Sequence, residues 1–157
     1  MPIITPKTLL KTNKEIAFDL SRSIDLHKIS TNQTNEKAIA GSTAGLIGKG
    51  EFVTWRAKHF GIYHTLTSKI TAFEKPVYFV DEMQKGVFKW FKHEHIFEEM
   101  KEGVLMIDVF DYESPYAFLG KIADQLFLKN YMKRFLEKRN ETIKEFAESN
   151  KWKEVLK

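Results

Sequence analysis

Two histidines and one aspartate fall where an antiparallel hairpin would bring them together. His93 and His95 are two residues apart, and Asp108 follows a turn at Lys101–Glu102. If this turn is a two-residue hairpin loop, His95 lies opposite Asp108, and His93 shares their face of the hairpin. A carboxylate beside a buried imidazole orients the ring and raises its basicity, as a general base requires.

The pairing of His95 with Asp108 has three interpretations. It is a hydrogen-bonded interior pair that fixes strand register, a general acid–base pair that removes a proton next to a carbonyl group, or an anchor for the polar end of a ligand. The residue pattern favours the interior pair and leaves the other two open. The sequence shows no Ser-His-Asp order, no nucleophile-elbow motif and no cysteine.

A second hairpin carries two more histidines. A tight turn near Phe60–Gly61 places His59 and His64 on one face, together with Trp55 and Leu66. At least one strand separates this hairpin from the histidines near position 93, so we do not expect the four imidazoles to converge on zinc or iron. Along one strand, residues two apart are about 7 Å from each other, too far for the shortest chelate. We predict no metal and no cofactor.

Two further charged residues have less certain positions. Asp81 either faces inward and pairs with a histidine or is a solvated strand carboxylate. Arg139 lies one turn after Phe135 on a predicted helix. We predict a surface arginine there, the alternative being a guanidinium that reaches a carboxylate in a cavity mouth.

Composition indicates one globular domain over residues 1–157. The net charge is +4, but the lysines are mixed with glutamates, which is typical of a solvated helix surface and not of a nucleic-acid interface. No apolar run approaches the ~18 residues of a spanning helix, and the N-terminus lacks a signal-peptide pattern. We therefore expect a cytoplasmic protein with no nucleic-acid partner and no integral membrane segment.

Short strand-like segments, in which polar and apolar residues alternate, are followed by one long amphipathic helix near the end of the sequence. Two short helices are predicted after the first strand, one capped by Thr12 or Asn13 and one over Ser23–Ser30. The final residues, 149–157, are predicted to fray unless Trp152 docks. The predicted strands are Ile3–Lys11, a weak strand over Glu36–Ile47, Glu51–Phe60, Ile62–Phe73, Val77–Lys85, Val87–Met100 and Val104–Ser114, and the long helix spans about Tyr116 to Glu148.

A glycine-rich segment interrupts the strands between Gly41 and Gly50. It resembles a phosphate-binding loop at first sight, but no glycine lies five residues before Gly48-Lys49, as the Walker pattern requires. We predict a flexible turn beside the cavity mouth.

The outward face of the last hairpin is also apolar. It carries Trp90, Ile96, Leu105, Ile107 and Val109. Such a stripe predicts a homodimer or a protein or membrane partner if it is exposed, although ordinary strand propensity accounts for it equally simply.

Several segments resemble one known superfamily. They are Val53-Thr54-Trp55-Arg56-Ala57-Lys58-His59-Phe60-Gly61, Tyr78-Phe79-Val80-Asp81-Glu82, His93-Glu94-His95-x-Phe97, Glu113-Ser114-Pro115 and Leu119-Gly120-Lys121-Ile122-Ala123-Asp124. The resemblance is to a bacterial branch of the SRPBCC superfamily, the ligand-binding relatives of START lipid-transfer domains and birch-pollen allergens. It covers nearly the whole chain and is specific for the fold, while this branch carries no assigned reaction.

The resemblance implies an α+β helix-grip fold, in which a curved antiparallel sheet of about six or seven strands wraps around the C-terminal helix. It also implies a cavity for a small hydrophobic or lipid-like molecule between sheet and helix. The alternatives are a cyclase- or isomerase-like enzyme that uses His95 and Asp108, and a non-enzymatic interaction module that uses the outward stripe. The predicted lining comprises Trp55, His59, His64, Leu66, Phe91, His93, His95, Phe97, Met106, Asp108, Phe110, Tyr112, Leu119, Ile122, Leu126 and Phe135.

Overall fold

A computed structural model describes residues 2–114 and 127–156. These residues form one antiparallel sheet, a pair of short helices after the first strands and a long helix near the C-terminus. In chain order the elements are β1 (Ile3–Ile4), β2 (Lys7–Leu10), α1 (Lys14–Ser21), α2 (Ile24–Ser30), β3 (Lys37–Gly41), β4 (Phe52–His59), β5 (Ile62–Glu74), β6 (Tyr78–Lys85), β7 (Trp90–Met100), β8 (Gly103–Glu113), α3 (Lys129–Ala147) and α4 (Trp152–Val155).

The eight strands form a meander in which chain neighbours pair from β3 to β8. The order is β1–β8–β7–β6–β5–β4–β3, and β2 also pairs with β8. Every pairing is antiparallel. The α+β architecture with short helices after the first strands is as predicted. The predicted strand over Ile3–Lys11 is divided into two at Thr5–Pro6, because proline has no N–H for the ladder.

Side-chain oxygens begin the two short helices. Asn13 Oδ1 accepts a hydrogen bond of 2.9 Å from the Ile16 amide at the start of α1, and Ser23 Oγ accepts one of 3.1 Å from the Leu26 amide at the start of α2. Each cap satisfies an amide that has no partner inside the helix. Both helices then bury their apolar sides, including Phe18, against the sheet.

The two hairpins have the predicted registers. In β4–β5, Trp55 lies opposite Leu66 and Ala57 opposite His64, across a turn in which Phe60 and Gly61 both have positive φ. This is the geometry of a two-residue turn that follows the sheet twist. In β7–β8, all eight inward residues pair as expected, and all are buried: Phe91 with Tyr112, His93 with Phe110, His95 with Asp108 and Phe97 with Met106.

The long helix α3 packs on α1, α2, β1 and β2. It buries Leu136, Ile143 and Phe146 and ends at Ala147, one residue before the predicted end. The predicted start at Tyr116 lies outside the described residues. Of the two alternatives for the tail, the described part agrees with docking, because α4 forms after α3 and Trp152 packs against the main apolar cluster.

The outward stripe of the last hairpin, whose exposure the sequence left open, is half-buried at Trp90, Ile96, Leu105, Ile107 and Val109. The glycine-rich segment forms a loop after β3. The strand β3 itself, Lys37–Gly41, is shorter than the predicted strand over Glu36–Ile47. Hydrogen bonds hold this loop to α2: Asp25 Oδ2 accepts from the Gly45 amide at 2.9 Å, and the Ile24 amide donates to the Gly45 carbonyl at 2.9 Å. Within the two described ranges, no helix has the length and apolar character needed to cross a bilayer.

Candidate functional site

Two aspartates and two histidines interlock on the inward face of β6, β7 and β8. Asp81 lies opposite His93 in the sheet register but contacts His95, with 2.8 Å between Asp81 Oδ2 and His95 Nε2. Asp108 lies opposite His95 but contacts His93, with 2.9 Å between Asp108 Oδ1 and His93 Nε2. Each carboxylate therefore pairs diagonally, and the two open questions about Asp81 are resolved: it faces inward and it pairs with a histidine.

The imidazole rings of His93 and His95 lie against each other. Their centroids are 3.9 Å apart, and the other face of His95 stacks on Phe79 at 4.1 Å. His95 Nδ1 lies 3.2 Å from Asp108 Oδ1, but the contact lacks hydrogen-bond geometry, and this buried nitrogen has no hydrogen-bond partner among the described residues. The predicted pairing of His95 with Asp108 is thus a contact, while the hydrogen bond of Asp108 goes to His93.

The helix α3 supplies the remaining partners of Asp108. Asn140 Nδ2 donates to Asp108 Oδ2 at 2.7 Å, and Arg139 Nη1 lies 3.5 Å from Asp108 Oδ1. Arg139 also donates to Asn140 Oδ1 at 3.0 Å and to the Ser21 carbonyl at 3.0 Å. Arg139 is only 5% exposed, so the prediction of a surface arginine is wrong. A buried carboxylate requires charge and hydrogen-bond partners, and the helix provides them.

The spacing of Arg139 and Asn140 contained a signal that the sequence interpretation missed. Arg139 and Asn140 lie three and four residues after the buried Leu136. They also lie four and three residues before Ile143, which is buried on the same side of α3. Residues at these intervals share one helix face. Two polar residues in the middle of an apolar helix face indicate a buried polar partner on the sheet.

Both carboxyl groups are held in the ionised form. Burial alone raises the pKa of Asp108, but the hydrogen bond with His93, the close contact with His95 and the charge of Arg139 outweigh it and hold the pKa well below its usual value. Burial likewise raises the pKa of Asp81, and the hydrogen bond with His95 together with the charges of His93, His95 and Arg139 lowers it overall.

The two imidazoles differ in basicity although they touch. Burial lowers the pKa of His93, the neighbouring His95 lowers it further, and the contacts with Asp108 and Asp81 do not compensate. Burial also lowers the pKa of His95, but its contacts with Asp108 and Asp81 outweigh burial, so the pKa is raised. His95 is therefore the imidazole in this group that holds a proton more readily.

The two aspartates and two histidines lie at the wall of a cavity of about 360 Å³ between the sheet and α3. Asp81, His93, His95 and Arg139 line it directly, while Asp108 lies behind them. Most of the remaining wall is apolar. Nine of the predicted residues line this cavity: Trp55, His59, His64, Leu66, Phe91, His93, His95, Phe110 and Phe135.

The other predicted lining residues have different positions. Phe97 and Met106 are in the solid apolar core under α1, and Tyr112 is fully buried in a second cluster, so these three fill space and do not line the cavity. The inward face of the hairpin is longer than the cavity, and its ends are covered by other elements. Leu119, Ile122 and Leu126 lie outside the described residues.

The cavity reaches solvent near the tip of the β4–β5 hairpin. Phe60 lines the cavity and is 67% exposed. Beside it, His59 Nδ1 and the Tyr131 hydroxyl are 2.5 Å apart, and the Phe60 and Tyr131 rings are 4.7 Å apart. Burial lowers the pKa of His59, His64 lowers it further and Glu36 opposes them. These contacts connect the hairpin to α3 at the cavity mouth.

Among the described residues, Asp81, His93 and His95 form the one group of three with metal-ligand spacing. Each offers a nitrogen or oxygen atom, and the three atoms lie within 4.8 Å of one another. His59 and His64 belong to the separate hairpin, with ring centroids 6.2 Å apart. The sequence interpretation considered the four imidazoles of the two hairpins and did not combine His93 and His95 with Asp81.

The comparisons with solved structures find the same fold in several proteins. TTHA0849 from Thermus thermophilus superposes with a TM-score of 0.76 at 14% identity, over 93% of this chain and 97% of that one. The ginseng major latex-like protein 151 from Panax ginseng gives a TM-score of 0.68 at 15% identity, with the same coverage of 93% and 97%. The di-domain ARO/CYC StfQ from the steffimycin biosynthetic pathway gives 0.74 at 12% identity, over 93% of this chain and 50% of StfQ.

No protein-family model and no curated protein matches the sequence. The structural likeness is therefore the informative comparison, and at these identities it concerns the fold alone. The element order and the sheet that faces a long C-terminal helix agree with it. The chain shares the fold of these proteins, which is the helix-grip fold that the sequence resemblance implied.

Proposed function

We propose that the protein binds a small, mostly apolar molecule with one polar end in the cavity between the sheet and α3. The observation that carries the proposal is a cavity of about 360 Å³ whose walls are mostly apolar and carry a compact, buried polar group at one place. Pockets for small molecules generally measure ~300–1,000 Å³ and combine apolar walls with a few placed polar groups.

Apolar burial supplies the affinity in this proposal. Trp55 and Leu66 line the cavity from β4 and β5, Phe91 from β7, and Leu136 from α3. Each 100 Å² of apolar surface removed from water contributes about 2.5 kcal/mol before the cost of ordering the ligand is subtracted.

The polar group selects the ligand's polar end. Arg139 donates only, Asp81 accepts, and the two histidines do either according to their protonation. A hydroxyl or carbonyl group in this position finds both a donor and an acceptor within the wall. A wholly apolar molecule would leave these groups without the water that otherwise satisfies them.

The structural neighbours support this proposal. One is an ARO/CYC from a biosynthetic pathway and another a plant major latex-like protein. These proteins and this chain share the sheet-and-helix frame that encloses the cavity.

A cavity-filling variant tests the proposal. Ala57 is buried and lines the cavity, whereas Ala40 is exposed on β3, so Ala57→Phe and Ala40→Phe add the same ring in the two environments. We expect the wild-type protein and Ala40→Phe to bind the fluorescent probe ANS, and Ala57→Phe to bind at least 10-fold more weakly. Native mass spectrometry of the purified protein should show a bound small molecule. Equal ANS affinity for a folded Ala57→Phe variant would contradict the proposal.

A second candidate function is acid–base catalysis, and the position of His95 favours it. Its ring lies between Asp81 and Asp108 at the cavity wall, and its pKa is raised. The sequence offered His95 and Asp108 only as candidates for a catalytic pair, whereas His95 Nε2 donates its orienting hydrogen bond to Asp81. To remove a proton next to a carbonyl group of a bound ligand, His95 would have to turn its Nε2 from Asp81 to the ligand, because Nδ1 is buried against Asp108.

Proton exchange in heavy water tests this second candidate. The apolar ketone β-tetralone has acidic protons beside its carbonyl, and mass spectrometry follows their replacement by deuterium. We expect wild-type protein to accelerate exchange above the buffer rate, with a pH dependence that is lost in Asp81→Asn. Exchange at the buffer rate, with binding of the ketone demonstrated by competition with ANS, would exclude this role for that ketone class.

A further inference from the structure

We infer that Asp81, His93 and His95 form a binding site for a divalent transition-metal ion, open toward the cavity. The inference does not depend on the proposed apolar ligand. Three ligand atoms, one from each residue, lie within 4.8 Å of one another. A tetrahedral site with bonds of 2.0–2.2 Å places its ligand atoms about 3.3–3.6 Å apart, so small side-chain movements bring this group to that spacing.

The rings of His93 and His95 are oriented so that one nitrogen of each ring faces Asp81. Asp81 Oδ2 lies 2.8 Å from His95 Nε2 and 3.9 Å from His93 Nδ1. Both rings direct their other nitrogen to Asp108: His93 Nε2 at 2.9 Å and His95 Nδ1 at 3.2 Å. Asp81 therefore faces the two nitrogens that would bind the ion, and Asp108 faces the two nitrogens that would not.

Asp108 is placed like the carboxylate that, in many metal sites, accepts a hydrogen bond from a metal-binding histidine. Histidines that bind metals usually donate their second N–H to a carboxylate, which fixes the ring and makes it a better ligand. Asp108 is fully buried and is itself held by Asn140 at 2.7 Å. Its contact with His95 Nδ1 lacks hydrogen-bond geometry, and this nitrogen has no hydrogen-bond partner among the described residues. A small rotation of the ring on metal binding would align that N–H with Asp108.

Lone pairs converge when both rings point their N–H groups at Asp108. On metal binding, His95 Nε2 gives up the proton of its hydrogen bond with Asp81, and His93 Nδ1 and His95 Nε2 then each present a lone pair to the ion beside the Asp81 carboxylate. Three electron-rich atoms that face one point are stabilised by a cation there. With both imidazoles neutral, Asp81 and Asp108 outweigh the one positive charge of Arg139, so the group has a net negative charge that favours a cation.

The ligand set indicates the kind of metal. Two imidazoles and one carboxylate suit Zn²⁺, Fe²⁺ and Co²⁺, whereas Mg²⁺ and Ca²⁺ prefer oxygen ligands. Three protein ligands also leave a coordination position free. His93, His95 and Asp81 all line the cavity, so the free position is available to water or to the oxygen of a bound molecule.

Cobalt titration tests the site without any apolar ligand. Protein treated with a chelator and desalted is titrated with Co²⁺ while its visible absorption is recorded. We expect one Co²⁺ per chain, an absorption band typical of four- or five-coordinate cobalt, and displacement by Zn²⁺. Asp81→Asn and His93→Gln should each weaken Co²⁺ binding at least 10-fold, and Asp108→Asn should weaken it by about 10- to 100-fold through the outer contact.

His64→Gln is the matched control, because His64 lines the same cavity from another hairpin. We expect its Co²⁺ affinity to equal that of the wild type. Asp81→Asn preserves side-chain shape, and its melting temperature without metal establishes that the variant is folded. The inference is overturned if the wild type shows no saturable binding of one Co²⁺, or if His64→Gln weakens binding as much as His93→Gln. Failure of ANS binding would affect the proposed function and leave this result unchanged.

Discussion

Asn140 on α3 donates a hydrogen bond of 2.7 Å to Asp108 on β8, and this bond connects the long helix to the polar group at the cavity wall. Asp108 is fully buried and Asn140 is 2% exposed, so water cannot substitute for either partner. The same carboxylate contacts His93 and His95 through its other oxygen. The bond therefore fixes the distance between helix and sheet at the place where the cavity has its polar end.

Asn140→Ala tests the importance of this bond. The substitution leaves Asp108 Oδ2 buried without its donor, and an unsatisfied buried polar group costs about 1–3 kcal/mol. We expect a loss of that size in the free energy of unfolding, measured by urea denaturation. Lys138→Ala changes an exposed residue next to Arg139 on the same helix and should alter stability by less than about 0.5 kcal/mol. Equal stability of the two variants would show that the bond does not stabilise the helix–sheet contact.

Tyr78 on β6 offers a test that is separate from the cavity. Its hydroxyl donates to Glu94 Oε1 at 2.8 Å, and burial together with the acceptor and charge of Glu94 raises its pKa to about 12. The folded state keeps this proton more strongly than the unfolded state, whose tyrosine pKa is about 10. The contribution to stability is therefore complete below about pH 10 and is lost as the pH rises through about 12.

Ultraviolet titration of the tyrosines measures this directly. We expect the wild type to show one phenolate that forms near pH 12, and Tyr78→Phe to lack it. Glu94→Gln removes the charge and keeps a similar shape, so the late ionisation should move to lower pH. If the titration curves of Tyr78→Phe and the wild type differ only near the ordinary tyrosine pKa, the hydrogen bond to Glu94 does not raise the pKa of Tyr78.

The contact of His59 with Tyr131 predicts how the cavity opens. These atoms are 2.5 Å apart and connect the β4–β5 hairpin to α3 at the mouth. A net hydrogen bond contributes about 0.5–1.5 kcal/mol, so its removal should speed opening about 2- to 10-fold. We expect Tyr131→Phe to raise both the association and the dissociation rates of ANS in stopped-flow experiments.

Tyr63→Phe is the control for this prediction. Tyr63 is exposed on the same hairpin, and its hydroxyl accepts a hydrogen bond from Asn35 outside the cavity. ANS rates in this variant should match the wild type. Unchanged rates in Tyr131→Phe would indicate that molecules enter by another route.

The sheet could be predicted from sequence because strand registers depend on local features. The two-residue turn at Phe60–Gly61 and the alternation of polar and apolar residues on either side were sufficient to place His64 and Leu66 on the inward face. The same reasoning placed His95 opposite Asp108. A shift of one residue would have reversed every side chain, so the pattern allows one register only.

The contacts inside the site could not be predicted in the same way. Register gives the residue opposite, but His93 and His95 each bond diagonally, and the direction of a ring depends on its other neighbours. Asp81 and Arg139 were placed ambiguously or wrongly because their burial requires each other and Asp108. A charged residue becomes favourable inside only when partners from separate elements meet it, and no local pattern contains that information.

The C-terminal helix α4 shows how a short segment gains order from packing. Four residues are too few for an isolated helix in water, so α4 needs contacts with the rest of the protein. Trp152 packs against the main apolar cluster. Its half-burial predicts that Trp152→Ala lowers the free energy of unfolding by about 1.5–2.5 kcal/mol, roughly half the cost for a fully buried aromatic residue. Urea denaturation checks the value, with the exposed neighbour Glu154→Gln as a control of no effect. Equal midpoints for Trp152→Ala and the wild type would mean that the tail detaches in solution.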